Sequence, residues 1–528
     1  MIKTPLLVSL AAAALLTGNA QAASMFDRMT EMETEMKALQ SELKEVKAAK
    51  AVAVEAEEEA EEDVAEGEEA EDEEGDEDEE EVGSWEEVEE QLTELNKRTS
   101  GNHLKFGVDF RTSVDNLQYT MADGSKQKND ALFTNRLWLN MDWAASENMS
   151  FTGQLAYNKA YGNRSGFDGG YPGFETFDWI TNENPYDDVV RVRSAYFFYR
   201  NDTFLGTEIP WTFSIGRRPS TNGHLINLRD NDPAASPMGH TINVEFDGLS
   251  SKFTLVEDIG MYVKFCAGRG GTNANAKFFT IDPNSGIASM SAPYAANDAD
   301  LPDIDLGGLI FVPYNDGQYS IGTQYYYANN LIDADMTPTM AGYQFNGMTD
   351  VGGLHSFTGN VVINGIGDEW SDFLDDTTLF VSGAVSITDP KDGGQGMLGS
   401  TESVRGWSGW VGMQFPSLIS EDGRWGVEWN QGTQNWRSIT YAEDTLAGSK
   451  IAARGDAYEA YFTEPLIEGV FSFQLRYTYI DYKWAGSNGF FGSTTGTPTL
   501  ISDLTPMTGS TVTVDKAQDI RAYLRYRF

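Results

Sequence analysis

The sequence predicts an all-β transmembrane antiparallel barrel of about 16 strands, within a range of about 14–18, preceded by a short α-helical coiled coil and a disordered acidic linker. Three observations carry this expectation. From about His103 onward, apolar and polar residues alternate with period two. The connections between the alternating runs are short and long in turn. The chain ends on "DIRAYLRYRF", where Ile520, Ala522, Leu524, Tyr526 and Phe528 share one face of an extended strand and Asp519, Arg521, Tyr523, Arg525 and Arg527 share the other.

The elements follow in order. Residues 1–22, "MIKTPLLVSLAAAALLTGNAQA", have the basic start, the short apolar run and the small residues of a secretory signal peptide. In residues 23–50, Met25, Met29, Met32, Met36, Leu39, Leu43 and Val46 recur at spacings of four and three, the seam of a coiled coil. A helix this short is marginal alone in water, so the seam predicts partner chains and a homotrimer. Residues 51–82 contain no basic side chain and are dominated by carboxylates, which repel one another and leave too little apolar surface to order the segment. At 84–98 a short helix is expected, with Ser84 and Glu87 at capping-box spacing.

The barrel is expected over 103–528, with strands near 104–111, 132–143, 149–158, 189–200, 210–216, 241–255, 261–267, 306–313, 319–328, 354–366, 376–386, 404–416, 424–431, 454–464, 470–482 and 518–528. "AASEN", "VEDIG", "YNDGQ" and "PLIEG" read as short turns, and eight longer loops alternate with them, as in an outer-membrane barrel with turns in the periplasm. In hydrocarbon every backbone polar group must be paired, so such a sheet spans a bilayer only by closing on itself. The expected setting is therefore the cell outer membrane, the apolar faces against lipid and the N-terminal arm in the periplasm, reaching towards the cell wall. In "TINVEFDGLSSKFTL" the apolar phase flips after Phe246, which predicts a bulge at Asp247 and Gly248 or a division into two strands.

Composition excludes several activities. A net charge of −44 makes nucleic acid an unsuitable partner. The single cysteine, Cys266, permits no internal disulfide, CxxC pair or cysteine metal cluster. Four histidines (His103, His224, His240 and His355), without GxSxG, HExxH or a phosphate-cradling glycine loop, give no catalytic or metal-binding constellation, so no enzyme activity and no cofactor are expected.

Several stretches, "GRWGVEWNQGTQNW", "LAGSKIAARGDAYEAYFTEPL", "LRYTYIDYKWAGSNG" and "GRRPSTNG", resemble a family of proteobacterial outer-membrane proteins of undetermined function described as porins, over about residue 100 to the end. The resemblance implies a barrel and carries over no catalytic residue. The helical seam also resembles that of anion-selective trimeric porins with short N-terminal coiled coils. Leu524, Tyr526 and Phe528 resemble the C-terminal signal through which the barrel-assembly machinery inserts outer-membrane proteins.

The expected function is a porin-like channel for passive diffusion of small hydrophilic solutes or ions, because a barrel of about 16 strands leaves an aqueous lumen. Lys105, Arg111, Arg136, Arg191, Arg193, Arg521, Arg525 and Arg527 fall on inward positions and predict a basic, pore-lining strip where the first and last strands meet. Asp230 and Asp232 in "RRPSTNGHLINLRDNDPAASPMGH" predict a constriction loop opposite that strip, the two together making a transverse field. The alternative for the arginines is pairing with inward carboxylates such as Asp109 and Asp142. Two other functions fit the pattern: a ligand-specific sugar or anion channel, with loop aromatics Phe167, Tyr171, Phe174, Phe177 and Trp179 stacking on sugars, and a non-transport surface or scaffold barrel with a plugged lumen.

Overall fold

The computed structural model describes residues 104–162, 189–220, 223–274, 280–281, 286, 288–289, 292–296, 301–339, 342–367, 370–440, 443–467 and 469–528. The signal peptide, the coiled coil, the acidic linker, the helix expected at 84–98 and the loop aromatics from Phe167 to Trp179 lie outside the described residues.

Alternation of apolar and polar side chains builds β1 (Lys105–Met121), β2 (Lys126–Ala144), β3 (Met149–Ala160), β4 (Arg191–Asn201), β5 (Trp211–Ser220), β6 (Val244–Val256) and β7 (Met261–Gly271). A two-stranded ribbon of β8 (Thr280–Ile281) and β9 (Ala288–Ser289) follows. Then come β10 (Ile304–Asn315), β11 (Tyr319–Thr339), β12 (Gly342–Asn364), β13 (Thr378–Pro390), β14 (Arg405–Pro416), β15 (Arg424–Gly432), β16 (Gly455–Ile467), β17 (Phe471–Tyr482) and β18 (Val514–Arg527). Every strand but β8 and β9 joins one closed antiparallel barrel of sixteen, in which each strand pairs with its neighbour in sequence and β1 pairs with β18. Closure leaves no edge, so the backbone polar groups of the sheet are paired around the whole circumference.

The two faces of each strand separate as the pattern requires. Phe106 and Phe110 on β1, Val192 and Phe197 on β4, Val381 on β13, Trp407 on β14 and Ile520 and Leu524 on β18 are exposed on the outside. Between them Asp109, Arg111, Ser382, Ser408, Asp519 and Arg521 are buried inside. An apolar exterior with a polar interior suits hydrocarbon outside, the reverse of a water-soluble sheet.

Two details differ from the sequence expectation. β6 is one continuous strand, paired in register with β5 from Val244 to Phe253 without a bulge at Asp247 or Gly248. Phe246 points inward and is buried among Met238, Ile242, Tyr326 and Leu354, so the apparent change of phase arises because the upper inner face of β6 meets an apolar core rather than water. Likewise, two of the eight expected long loops are strand hairpins: β1 and β2 join through residues 122–125, and β11 runs to Thr339 with β12 starting at Gly342. Above the hydrocarbon a strand needs no apolar face, so residues such as Lys126, Lys128 and Asp130 continue β2 without the alternation that marks a buried strand. On the opposite rim the connections after β2, β6, β10 and β16 are tight turns, and the one after β12 carries the short helix α1 (Asp372–Asp375), capped by Ser371, whose hydroxyl accepts from Leu374 N–H.

Candidate functional site

Among the described residues, two segments leave the long-loop rim and fold into the lumen, with Phe491 of the β17–β18 connection packed on them. The first, residues 223–243, connects β5 to β6 and makes a single 3-10 turn at Ile226–Asp230. Leu225 and Ile226 pack on Val362, Phe380 and Trp410 of the inner wall, which anchors the turn by apolar burial. Beyond it Gln324 of β11 clamps the backbone of Met238, accepting from its N–H at 2.7 Å and donating to its carbonyl at 2.9 Å. His240 is fully buried between the hydroxyls of Ser382 (2.8 Å) and Ser408 (2.9 Å), with Trp410 and Trp436 edge-on to its ring. Burial lowers the pKa of this loop imidazole to about 3, so it is neutral at physiological pH.

The second segment, residues 433–454, connects β15 to β16 and crosses to the β16–β17–β18–β1 wall. Arg111 of β1 donates two bonds to Asp444, at 2.5 and 2.7 Å, and Arg521 of β18 donates to the same carboxylate at 3.0 Å. Arg476 of β17 donates to the Asp444 carbonyl at 2.7 Å. Lys450 bridges Glu428 of β15 (2.6 Å) and Glu459 of β16 (2.5 Å), and Arg229 from the first segment reaches Glu459 at 3.3 Å. Burial by itself would raise the pKa of Asp444, but Arg111 and Arg521 hold it well below the ordinary carboxylate range. Asp230 behaves alike: burial opposes ionisation, yet Arg229 and Arg525 bring it down to about 2. Buried ion pairs of this kind add little net stability relative to apolar packing, but breaking one strands a charge, so they fix where the segment sits. Ile242 and Ile439 bridge the two segments.

The expected basic residues separate by environment. Arg521 is buried against Asp115 at 2.5 Å, and Arg525 against Asp109, which also receives Arg136 at 3.3 Å. Arg525 and Arg527 additionally reach Asp232, at 3.2 and 2.5 Å, and Asp230 accepts from Tyr523 at 2.9 Å. The Asp230–Asp232 stretch therefore lies inside the barrel against the β18 wall. Arg136 and Arg193 share the ring of Trp138, at 3.6 and 4.2 Å from its centroid. Arg191 is half-buried beside the register shift of β3 against β4, and Lys105 is exposed at the start of β1, away from this network. Of the carboxylates weighed as partners, Asp109 pairs with arginines, whereas Asp142 accepts from Thr152 at 3.1 Å. Leu524, Tyr526 and Phe528 are exposed on the outer face, and the Phe528 carbonyl accepts from Val108 N–H at 2.8 Å, tying the terminus into β1.

The second segment is not among the inward residues expected from the sequence. Its signal was present: Trp436, Ile439, Ile451, Ala452 and Ala453 are more apolar than a loop in water requires, and all are buried.

Below the two segments, towards the tight turns, the lumen opens into a cavity of about 670 Å³ whose lining includes Gln154, Arg193, Arg218, Lys252, Lys264 and Asn360. A second recess of about 400 Å³, bordered by Asp109, Asp232, Arg525 and Arg527, shares Asn140, Trp138's neighbour on β2, and Gln154 with this region. Among the described residues no group of three or more His, Cys, Asp or Glu side chains is placed to hold a metal ion.

An apolar cylinder closed around a polar lumen, with tight turns on one rim and long connections on the other, defines an outer-membrane β-barrel of porin-like architecture. Within that class, residues 126–528 match the model of the family described as "Protein of unknown function (DUF3373)", and the chain belongs to that family. No curated protein matches the sequence. Among solved structures, the chain is similar to in-vitro folded OmpT, an outer membrane protein of Vibrio cholerae, at 11% identity over 80% of this chain and 97% of that chain, with a TM-score of 0.41. Salmonella typhi OmpF in complex with daunomycin is 12% identical over 81% of this chain and 99% of its own, with a TM-score of 0.41. Pseudomonas putida OprB in its high-pH structure is 11% identical over 84% and 97%, with a TM-score of 0.43.

Proposed function

We propose that this barrel is a porin-like channel for small hydrophilic solutes or ions, narrowed by its own inward-folded connections rather than open across its full width. The observation that carries the reading is the lumen itself: a polar cavity of about 670 Å³ on the turn side, inside a barrel whose exterior is apolar. Sixteen strands enclose more space than their own side chains fill, and such barrels leave an aqueous passage. Here the segments at 223–243 and 433–454 take up part of that space, which favours slow or selective passage over free diffusion. The test is ion conductance of the refolded full chain in planar bilayers, where discrete unitary steps support a channel. Membranes that stay silent both with the correctly folded full chain and with a folded variant lacking the second segment reject it.

A second reading, a surface or scaffold barrel with a permanently plugged lumen, draws support from the buried ion pairs that hold Asp444, Lys450 and Arg229 in place. Silence of the full chain, and of variants with the second segment removed, separates this reading from a closed channel.

A further inference from the structure

The inner wall divides by charge. From β15 round to β1, Arg111, Arg229, Lys450, Arg521 and Arg525 each meet a carboxylate, while Arg454 of the second segment donates to backbone carbonyls. On β5, β6 and β7 the outer-face Arg217 and Arg269 are ion-paired, but the three inward cations are not. Arg218 donates to the hydroxyls of Ser214 and Ser250, Lys264 donates to the Ser236 hydroxyl, and Lys252 lies 4.2 Å from the centroid of the Tyr262 ring. All three line the turn-side cavity, and among the described residues none of them forms an ion pair.

Register makes the arrangement costly when empty of anions. Lys252 and Lys264 are directly opposite each other on β6 and β7, and like charges at opposed positions of an antiparallel pair repel. Ser250, the next inward residue on β6, faces Ser214 on β5 and brings Arg218 alongside. Gly216 and Gly248, opposed between Arg218 and this serine pair, present no side chain. Gly216 has φ 134 and lies too close to the Ala195 carbonyl for a Cβ, so the bare wall there is enforced by the backbone. The carboxylate on the cavity's lining, Asp142, belongs to β2 and is exposed, and Asp247 of β6 is on the outer side with Arg217. Asn360 contributes a buried amide whose nitrogen has no hydrogen-bond partner.

We propose that Arg218, Lys252 and Lys264 form an oxyanion-binding site in the turn-side cavity, which takes a small solute carrying at least two negative charges, a phosphate or a dicarboxylate. A divalent oxyanion neutralises the opposed lysines, accepts charge-assisted hydrogen bonds from three strands and gives the Asn360 amide a partner. The cavity volume lies in the range of about 300–1,000 Å³ typical of small-molecule sites. The overall acidity of the chain does not oppose this, because much of its negative charge stands in residues 51–82, outside the barrel sequence. The inference rests on the channel reading for its biological meaning, as the selectivity of that channel, but binding itself is measured without conduction.

The experiment is isothermal titration of the full-length protein in neutral detergent, at constant ionic strength set by chloride, with inorganic phosphate, succinate and sucrose as separate titrants. Saturable binding of phosphate, succinate or both, with none of sucrose, is the expected result, and the oxyanion that binds identifies the chemistry preferred. The pair Lys252→Gln and Lys264→Gln should weaken binding about tenfold or more, while Lys252→Arg with Lys264→Arg should stay within about threefold of the parent, since the charge-assisted bonds are kept. Heat-modifiable migration in gel electrophoresis checks that each variant is a folded barrel. An affinity unaffected by the glutamine pair, or no binding of either oxyanion beyond that of chloride, overturns the site. Binding without conductance removes the channel and leaves the site; conductance without binding does the reverse.

Discussion

Arg111 and Asp444 lie 333 residues apart in sequence, yet two hydrogen bonds, at 2.5 and 2.7 Å, join the first strand of the barrel to a connection that crosses its interior. Arg521 completes the clamp from the last strand at 3.0 Å. The seam where the barrel closes is thus also where the inward segment is fastened.

Asp444→Asn leaves two buried guanidiniums without their shared carboxylate. Loss of one partner from a buried pair costs about 3–5 kcal/mol, so the segment at 433–454 should detach in a substantial fraction of molecules. Limited proteolysis should then cut within 433–454 faster than in the parent, and single-channel recordings should show larger or more frequent openings. Identical cleavage and conductance would mean that the clamp does not hold the segment.

Acid should loosen the first segment before the second. His240 is kept neutral by burial, its pKa lowered to about 3 from an ordinary value near 6.5. As pH falls below about 6.5 the released segment binds a proton that the inserted one does not, and by pH 5 this disfavours insertion by about 2 kcal/mol. The Asp444 clamp runs the other way on the scale: its folded pKa is depressed, so its contribution is complete above the unfolded value near 4 and is lost only as pH falls further. Conductance should therefore rise between pH 7.5 and 5, and the rise should be absent in His240→Gln. An equal rise in that variant assigns it to another group.

Charge reversal separates Arg191 from Arg193 on β4. Arg193 lines the turn-side cavity, whereas Arg191 is outside that lining and beside the β3–β4 register shift. Arg193→Glu should move the reversal potential in a salt gradient towards cations, and Arg191→Glu should move it much less. Equal shifts would place the conducting path along both side chains.

Phe528 is exposed at the turn-side rim while its backbone pairs with Val108 in both directions. Deleting Phe528 should lower the amount of heat-modifiable barrel recovered from outer membranes several-fold, whereas Phe528→Tyr should preserve it. Full recovery of the deletion variant would remove the terminal ring from the assembly signal.

Much of the barrel was legible because hydrocarbon imposes a strict rule on it. Where a strand faces lipid on one side and polar lumen on the other, as in Ile520 to Leu524, alternation marks both its existence and its orientation. Legibility failed where that contrast disappears. The inner face of β6 at Phe246 is apolar because a folded-in segment packs on it, and the outer face of the upper β1–β2 hairpin carries polar residues such as Gln118 and Lys128 because it stands clear of the membrane, while Leu117 and Met121 are buried within. The inward position of Asp230 and Asp232 could be suggested from the basic strip on β18. The clamp at Asp444 could not, because nothing local in "YAEDTLAG" says which wall its carboxylate meets. Long-range pairing of buried charges is set by tertiary placement, and a single sequence carries it only as an excess of apolar residues in a loop.

The proposed channel is a wet lumen that inward connections restrict. Single-channel conductance of the full chain, compared with a variant in which residues 434–452 are replaced by a short glycine–serine linker, tests it most directly. Small unitary steps are expected for the full chain and steps several-fold larger for the variant, both in folded, heat-modifiable protein. No conductance from either would contradict it.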